Sequence, residues 1–194
     1  ANKIGAKVVF FSTDYVFDGR DGPYNESDQP SPINHYGQHK YYAEQFVLKQ
    51  KENIVIRTTV VYGNDLTKKN FIMQLIHKAQ TKDVLKVAND QYGTPTYVKY
   101  LVKRAVELAN DNQGGIFHIA GNKQISRETF AEIVCESLDL PMTTIGALPT
   151  IAMGQKAQRP LRAGLTSHFE SDHPDIAETL YDMKNDMCWG FEHD

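Results

Sequence analysis

"KVVFFSTDYVFDG", residues 7–19, decides how the rest of the chain is read. Its first seven residues are a β-branched and aromatic run without alternation, the pattern of a parallel strand covered on both faces. The run ends on Ser12, Thr13 and Asp14, so hydroxyls and a carboxylate collect at the strand's carboxyl end. Residues 18–34 then carry Gly19, Gly22, Pro23, Pro30 and Pro32 among Asp, Asn and Ser, which predicts a long loop. Asn34 suits an N-cap, and "NHYGQHKYYAEQFVLKQK" predicts a helix from there to about Lys51. "NIVIRTTVVYG" (53–63) reads as the next buried strand. Strand, loop, helix, strand is a βαβ unit. In open α/β sheets ligands sit outside the carboxyl ends of the strands, and Thr13 stands at such an end.

The remainder continues in the same style. A helix is predicted over 70–80, a short strand over 84–88 and a turn over "NDQYGTPT" (89–96). A helix over 97–110 and a strand over 115–121 follow. Ser126 caps a helix over 127–140 that stops before Pro141, and a last helix covers 174–186. There is no internal repeat and no low-complexity segment.

Composition narrows the function classes. A net charge of −3 supplies no broad basic surface for nucleic acid, and the apolar runs are too short to cross a membrane. Cys135 and Cys188 stand far apart and away from any His at ligand spacing, so neither a disulfide framework nor a metal site is expected. His35 and His39 are one turn apart without a third ligand. A reducing, cytoplasmic setting fits best. The chain does not begin with Met and reaches a strand within seven residues, so it reads as a piece of a longer protein.

Tyr36 and Lys40 lie at i and i+4, on one face of the predicted helix. An ammonium beside a phenol favours the phenolate, so Lys40 is expected to lower the Tyr36 pKa and make it a proton donor to a carbonyl oxygen near neutral pH. The pair acquires meaning from Thr13, whose hydroxyl can hold that same oxygen.

In order, "STDYVFDG", "PYNESDQPSPINHYGQHKYYAEQ", "VIRTTVVYG", "NF", "NDQYGTPT" and "GIFHIAGNKQIS" resemble the extended short-chain dehydrogenase/reductases. Within them, the chain is similar to the dTDP-4-dehydrorhamnose reductases and to the regulatory β subunit of methionine adenosyltransferase. The resemblance runs from about residue 6 to about 170. It implies an α/β fold: the C-terminal part of a Rossmann-type doubly wound parallel sheet (1–64) plus a small α/β substrate-binding lobe (65–194). Elements at about 84–110 are expected to return to the sheet. It implies NAD(P)H-dependent reduction of a 4-keto-deoxysugar nucleotide, with NADP or NAD as cofactor and a possible homodimer. The alternative is a non-catalytic regulatory subunit.

Residue by residue, the resemblance makes Thr13, Tyr36 and Lys40 catalytic. Tyr36, Lys40, Thr58 and Thr59 would border the cofactor; Thr13, Asp14, Tyr15, Val60, Asn70 and Gln91 would lie near the substrate. Arg159, in "AQRPLRAGLTS" (157–167), could contact a nucleotide diphosphate. There are two departures. No G-x-x-G-x-x-G or G-x-G-x-x-G occurs in these 194 residues, so the chain by itself is expected to hold the cofactor poorly and to be inactive. Val60 also stands where the rhamnose-pathway enzymes usually carry a sugar-stacking Trp.

Overall fold

The computed structural model describes residues 1–65, 67, 69–169 and 172–186. In chain order the elements are β1 (Val9–Thr13), α1 (His35–Val47), β2 (Ile54–Thr58), β3 (Val61–Tyr62), α2 (Phe71–Gln80), β4 (Leu85–Ala88) and β5 (Tyr92–Gly93). They continue with β6 (Thr96–Tyr97), α3 (Val98–Asn110), β7 (Gly115–His118), β8 (Ile125–Ser126), α4 (Arg127–Ser137), β9 (Ile145–Leu148) and α5 (Ile176–Asp186). Cys188 lies outside the described residues. No described helix is long and apolar enough to cross a membrane.

β1, β2 and β7 form a parallel sheet in that order, with Thr13 paired to Thr58 and Arg57 paired to both Ser12 and His118. All five residues of β2 are buried, as its unbroken apolar character predicts for a central strand. α1 crosses from β1 to β2, started by Asn34, whose Oδ1 accepts from the Gly37 N–H at 2.9 Å. The main core joins β2 to the inner faces of α2 to α5. Leu75, Phe130, Leu180 and Met183 are all fully buried within it.

Three expectations about strands are corrected. Residues 53–63 are not one strand: the chain breaks after Thr58, Val60 takes a left-handed φ of 46°, and β3 pairs with β6. The stretch at 89–96 is more than a turn, since β5 pairs antiparallel with β8 and β6 pairs with β3. The strand at 84–88 does not return to the central sheet. β4 instead pairs parallel with β9, while α3 and β7 pack on and beside β2. The reason is the break itself: turning at Val60 sends the chain away from the sheet, and only α3 brings it back.

That turn is held in place from both sides. The Thr59 hydroxyl donates to Asp14 Oδ2 at 2.6 Å. The Thr96 hydroxyl donates to the Thr59 carbonyl at 2.7 Å, and the Thr96 N–H to the Val60 carbonyl at 3.2 Å. A β-branched residue in the left-handed region costs about 1–3 kcal/mol and persists where its surroundings over-determine it. Here a buried carboxylate and a buried threonine do so.

A second network lies under the sheet. Arg57 Nε and Nη2 donate to Glu44 Oε1 and Oε2 at 3.0 and 2.7 Å, and the Ser12 hydroxyl also donates to Oε1. Arg57 Nη1 donates to His118 Nε2 at 3.4 Å, and His118 Nδ1–H donates to the Tyr24 carbonyl at 3.1 Å. The His118 N–H reaches Glu26 Oε1 at 2.9 Å. His118 is therefore neutral, with its bare nitrogen against a guanidinium. Burial first, partly opposed by Glu26 and reinforced by Arg57, lowers its pKa to about 4.

Two outcomes follow. A histidine whose folded pKa lies below its unfolded value near 6.5 stabilises the fold above pH 6.5, and that contribution is lost as pH falls towards 4. Urea unfolding at stepped pH should show of order 3 kcal/mol lost over this window on account of His118, and His118→Gln should flatten that part of the curve. Equal slopes in both proteins would refute the assignment. Thr59→Val keeps the volume and removes a donor from the buried Asp14 carboxylate, so it should cost about 2 kcal/mol in the same assay at pH 7.

Candidate active site

The carboxyl ends of β1 and β2 lie side by side and end in threonines. Thr13 N-caps a 3-10 turn at Asp14–Val16, with Oγ1 accepting from the Tyr15 N–H at 3.2 Å and donating to Asp14 Oδ1 at 3.2 Å. Asp14 is 4% exposed, and burial raises its pKa against the opposing hydrogen bonds of Thr59 and Thr13. The Thr58 Oγ1 beside Thr13 is buried and has no hydrogen-bond partner among the described residues. Buried hydroxyls are ordinarily hydrogen-bonded, so Thr58 is an exception at this tip.

α1 comes down on this tip. Gly37 lies against the Tyr15 carbonyl oxygen so closely that a Cβ would overlap it, so only glycine lets the first turn approach. The Tyr15 and Tyr36 rings meet edge to face with centroids 5.8 Å apart. Lys40 Nζ donates to the Phe11 carbonyl at 2.8 Å, lies 4.7 Å from the Phe10 ring centroid and 6.0 Å from that of Tyr36. The expected lowering of the Tyr36 pKa is corrected. Burial raises it, Asp14 and Tyr15 add to the rise, and only a hydrogen bond with Thr13 opposes it. The physical reason is chiefly that packing against the strand tip takes the phenol out of water, which disfavours the phenolate.

Two cavities flank Tyr15. The first, of about 340 Å³, lies among Val60, Phe71, Gln74, Gln91, Arg127 and Arg159. The second, of about 470 Å³, is lined by Tyr36, His35, Gln38, Lys156 and Gln158, again with Tyr15 and Arg159. The wall between them is Arg159 on Tyr15. Nη1 donates to the phenol oxygen at 3.2 Å, and the guanidinium stands 5.6 Å from the ring centroid. Residues 161–166 strap this segment down, with Arg162 N–H to Gly19 O at 2.7 Å, Tyr92 N–H to Leu161 O at 2.7 Å and Thr166 N–H to Tyr24 O at 2.8 Å.

The fold therefore brings Thr13, Asp14, Tyr15, Tyr36, Lys40, Thr58, Thr59 and Val60 to one tip, with Gln91 and Arg159 in the cavity walls. Gln91 Nε2 donates to Thr150 Oγ1 at 2.9 Å and to Gln155 Oε1 at 3.1 Å. Asn70 is not brought in. Its Oδ1 caps α2 through the Met73 N–H at 3.1 Å, its Nδ2 bonds the Gly63 carbonyl at 2.8 Å, and its neighbour Phe71 lines the cavity instead. No group of three potential metal ligands exists among the described residues.

Arg127 is the residue that sequence reasoning missed. It opens α4, where a cation opposes the helix dipole, and that misplacement was the available signal. Its guanidinium lies 5.5 Å from the Phe71 ring centroid, and burial lowers its pKa, opposed by Tyr15 and Asp14 and reinforced by Arg159. Two guanidinium groups near one cavity wall, neither in an ion pair with a carboxylate among the described residues, form a ready seat for an anion.

Comparison with known proteins agrees with this architecture. The RmlD substrate binding domain matches residues 1–178. The chain is 36% identical over 162 residues to the spore coat polysaccharide biosynthesis protein SpsK of Bacillus subtilis, covering 82% of this chain and 56% of that one. It is 28% identical over 200 residues to methionine adenosyltransferase 2 subunit beta of Danio rerio, covering 98% of this chain and 62% of that one. It spans about three fifths of the length of these curated relatives. A crystal structure of dTDP-4-dehydrorhamnose reductase from Bacillus anthracis in complex with NADP superposes with a TM-score of 0.87 at 29% identity, covering 95% of this chain and 67% of that one. With its parallel sheet, paired threonine tips and Tyr-Lys helix, the chain belongs to the RmlD substrate binding domain family.

Proposed function

We propose that the protein carrying this chain is an NAD(P)H-dependent oxidoreductase of the short-chain dehydrogenase/reductase type. Its reaction is reduction of the 4-keto group of a deoxysugar nucleotide of the dTDP-4-dehydrorhamnose kind, in a cytoplasmic setting. The observation that carries this reading is the convergence of Thr13, Tyr36 and Lys40 at the ends of β1 and β2, beside a cavity with two arginines. In it, residues 1–64 complete a dinucleotide-binding sheet and residues 65–194 chiefly hold the substrate.

Each side chain has a task. The Tyr36 phenol is held above its ordinary pKa, so it keeps its proton across the neutral range and can deliver it to a carbonyl oxygen. Thr13, in contact with that phenol, orients the same oxygen. Lys40 supplies the cation that offsets the phenolate left behind. Arg127 and Arg159 hold a diphosphate, and Phe71 with Gln74 offers a stacking face and an amide to a base. Thr58, register partner of Thr13 at the strand tips, would border the nicotinamide ribose together with Tyr36 and Lys40. A bound nicotinamide cofactor supplies the hydride. The name of the Bacillus anthracis relative, a reductase in complex with NADP, supports the same chemistry.

The test is turnover of the full-length gene product, read as NADPH or NADH oxidation with a 4-keto-deoxysugar nucleotide. Tyr36→Phe should lower kcat by about 10²- to 10⁴-fold with little change in KM. Wild-type turnover in that variant would refute the role of Tyr36. An inactive wild-type protein that co-purifies with a methionine adenosyltransferase would favour the regulatory-subunit reading, which Val60 in place of a stacking Trp also motivates.

A further inference from the structure

Glu44 and Arg57 line neither cavity, yet their side chains are 0% and 2% exposed. Tyr36, Lys40 and Glu44 stand at i, i+4 and i+8, so they share one face of α1. All three meet the β1 end of the sheet in sequence. Tyr36 meets Tyr15 edge-on, Lys40 bonds the Phe11 carbonyl at 2.8 Å, and Glu44 accepts from the Ser12 hydroxyl. Arg57, the register partner of Ser12, grips both oxygens of Glu44.

Two parallel N–H···O bonds fix the plane of a carboxylate as well as its distance, which a single bond does not. Rolling α1 about its axis would break both bonds and strand two charges away from water. The same roll would carry Lys40 off the Phe11 carbonyl and Tyr36 off Thr13. We propose that the Arg57–Glu44 pair is a positioning device for the reaction: it sets the rotation of α1 so that the Lys40 ammonium and the Tyr36 phenol face the strand tips. Stability alone explains the pair poorly, because apolar side chains of similar volume commonly stabilise a fold as well as a buried ion pair does. This inference rests on the reductase reading for its kinetic arm only.

The experiment replaces both charges at once in the full-length protein, as E44L/R57M. The variant should unfold cooperatively, with kcat about 10- to 100-fold lower and KM for the sugar nucleotide within about twofold of wild type. A folded double variant with wild-type kcat would overturn the proposal. Should the double variant not fold, Arg57→Lys decides. It keeps the charge but removes the two parallel bonds, so it should lower kcat several-fold at unchanged KM, and wild-type kcat would overturn the proposal. A second readout needs no activity: acetylation of Lys40 by acetic anhydride, followed by mass spectrometry against the exposed Lys103, should speed up several-fold in whichever variant folds. An unchanged Lys40 rate overturns the positioning role, whereas an inactive wild-type protein overturns only the reductase reading.

Discussion

An ion pair shut away from water joins the sheet to the helix that carries the site. Arg57 rises from the central strand, Glu44 descends from α1, and the two are locked by a pair of hydrogen bonds with Ser12 as a third donor. Removing each charge from water costs several kcal/mol, a cost offset only when the geometry is good and the remaining polar atoms are bonded. That condition propagates outward. Arg57 also needs a neutral His118, His118 needs the Tyr24 carbonyl, and Tyr24 belongs to the loop on which residues 161–166 are strapped. The long loop after β1 and the tail are thereby tied to one buried charge centre.

Above that centre, the tip of the sheet is built from hydroxyls around a second buried charge. Asp14 accepts from Thr13 and Thr59, and Thr59 with Thr96 holds Val60 in a conformation that β-branched residues avoid. The strain has a use in the architecture. It turns the chain out of the sheet and places the Val60 side chain in the wall of the first cavity, where β4, α2 and α4 complete the enclosure. Asp14 also acts on the other side, since its charge helps keep the Tyr36 phenol protonated. One carboxylate thus anchors the turn at Val60 and adds to the burial that raises the Tyr36 pKa.

Much of this was legible in the residues. The unalternating strands at 9–13 and 54–58, the capped helices beginning after Asn34 and Ser126, and the Tyr36–Lys40 spacing all follow from short-range rules. Val60 shows where those rules stop. "VIRTTVVYG" has the composition of one strand, and nothing local in it announces a break. The break depends on Asp14, 45 residues before Thr59, and on Thr96, 37 residues beyond it. Asn70 shows the converse: a residue with a binding-site look whose amide oxygen caps its own helix and whose amide nitrogen bonds the Gly63 carbonyl.

By itself, the sequence determined the five helices, the central parallel strands and the kinds of group that stand at their carboxyl ends. Periodicity, capping and turn chemistry act over a few residues and can be read from them. The tertiary structure alone decided which charges were removed from water and what stood next to them. It packed the Tyr36 phenol against the strand tip, and that loss of water raised its pKa where the Lys40 spacing alone predicted a fall. It drew Arg127 from an unfavourable helix start into the cavity wall, and it matched Arg57 on the sheet to Glu44 on the helix. Desolvation and Coulomb interactions depend on distance in space, and no pattern along the chain encodes that distance.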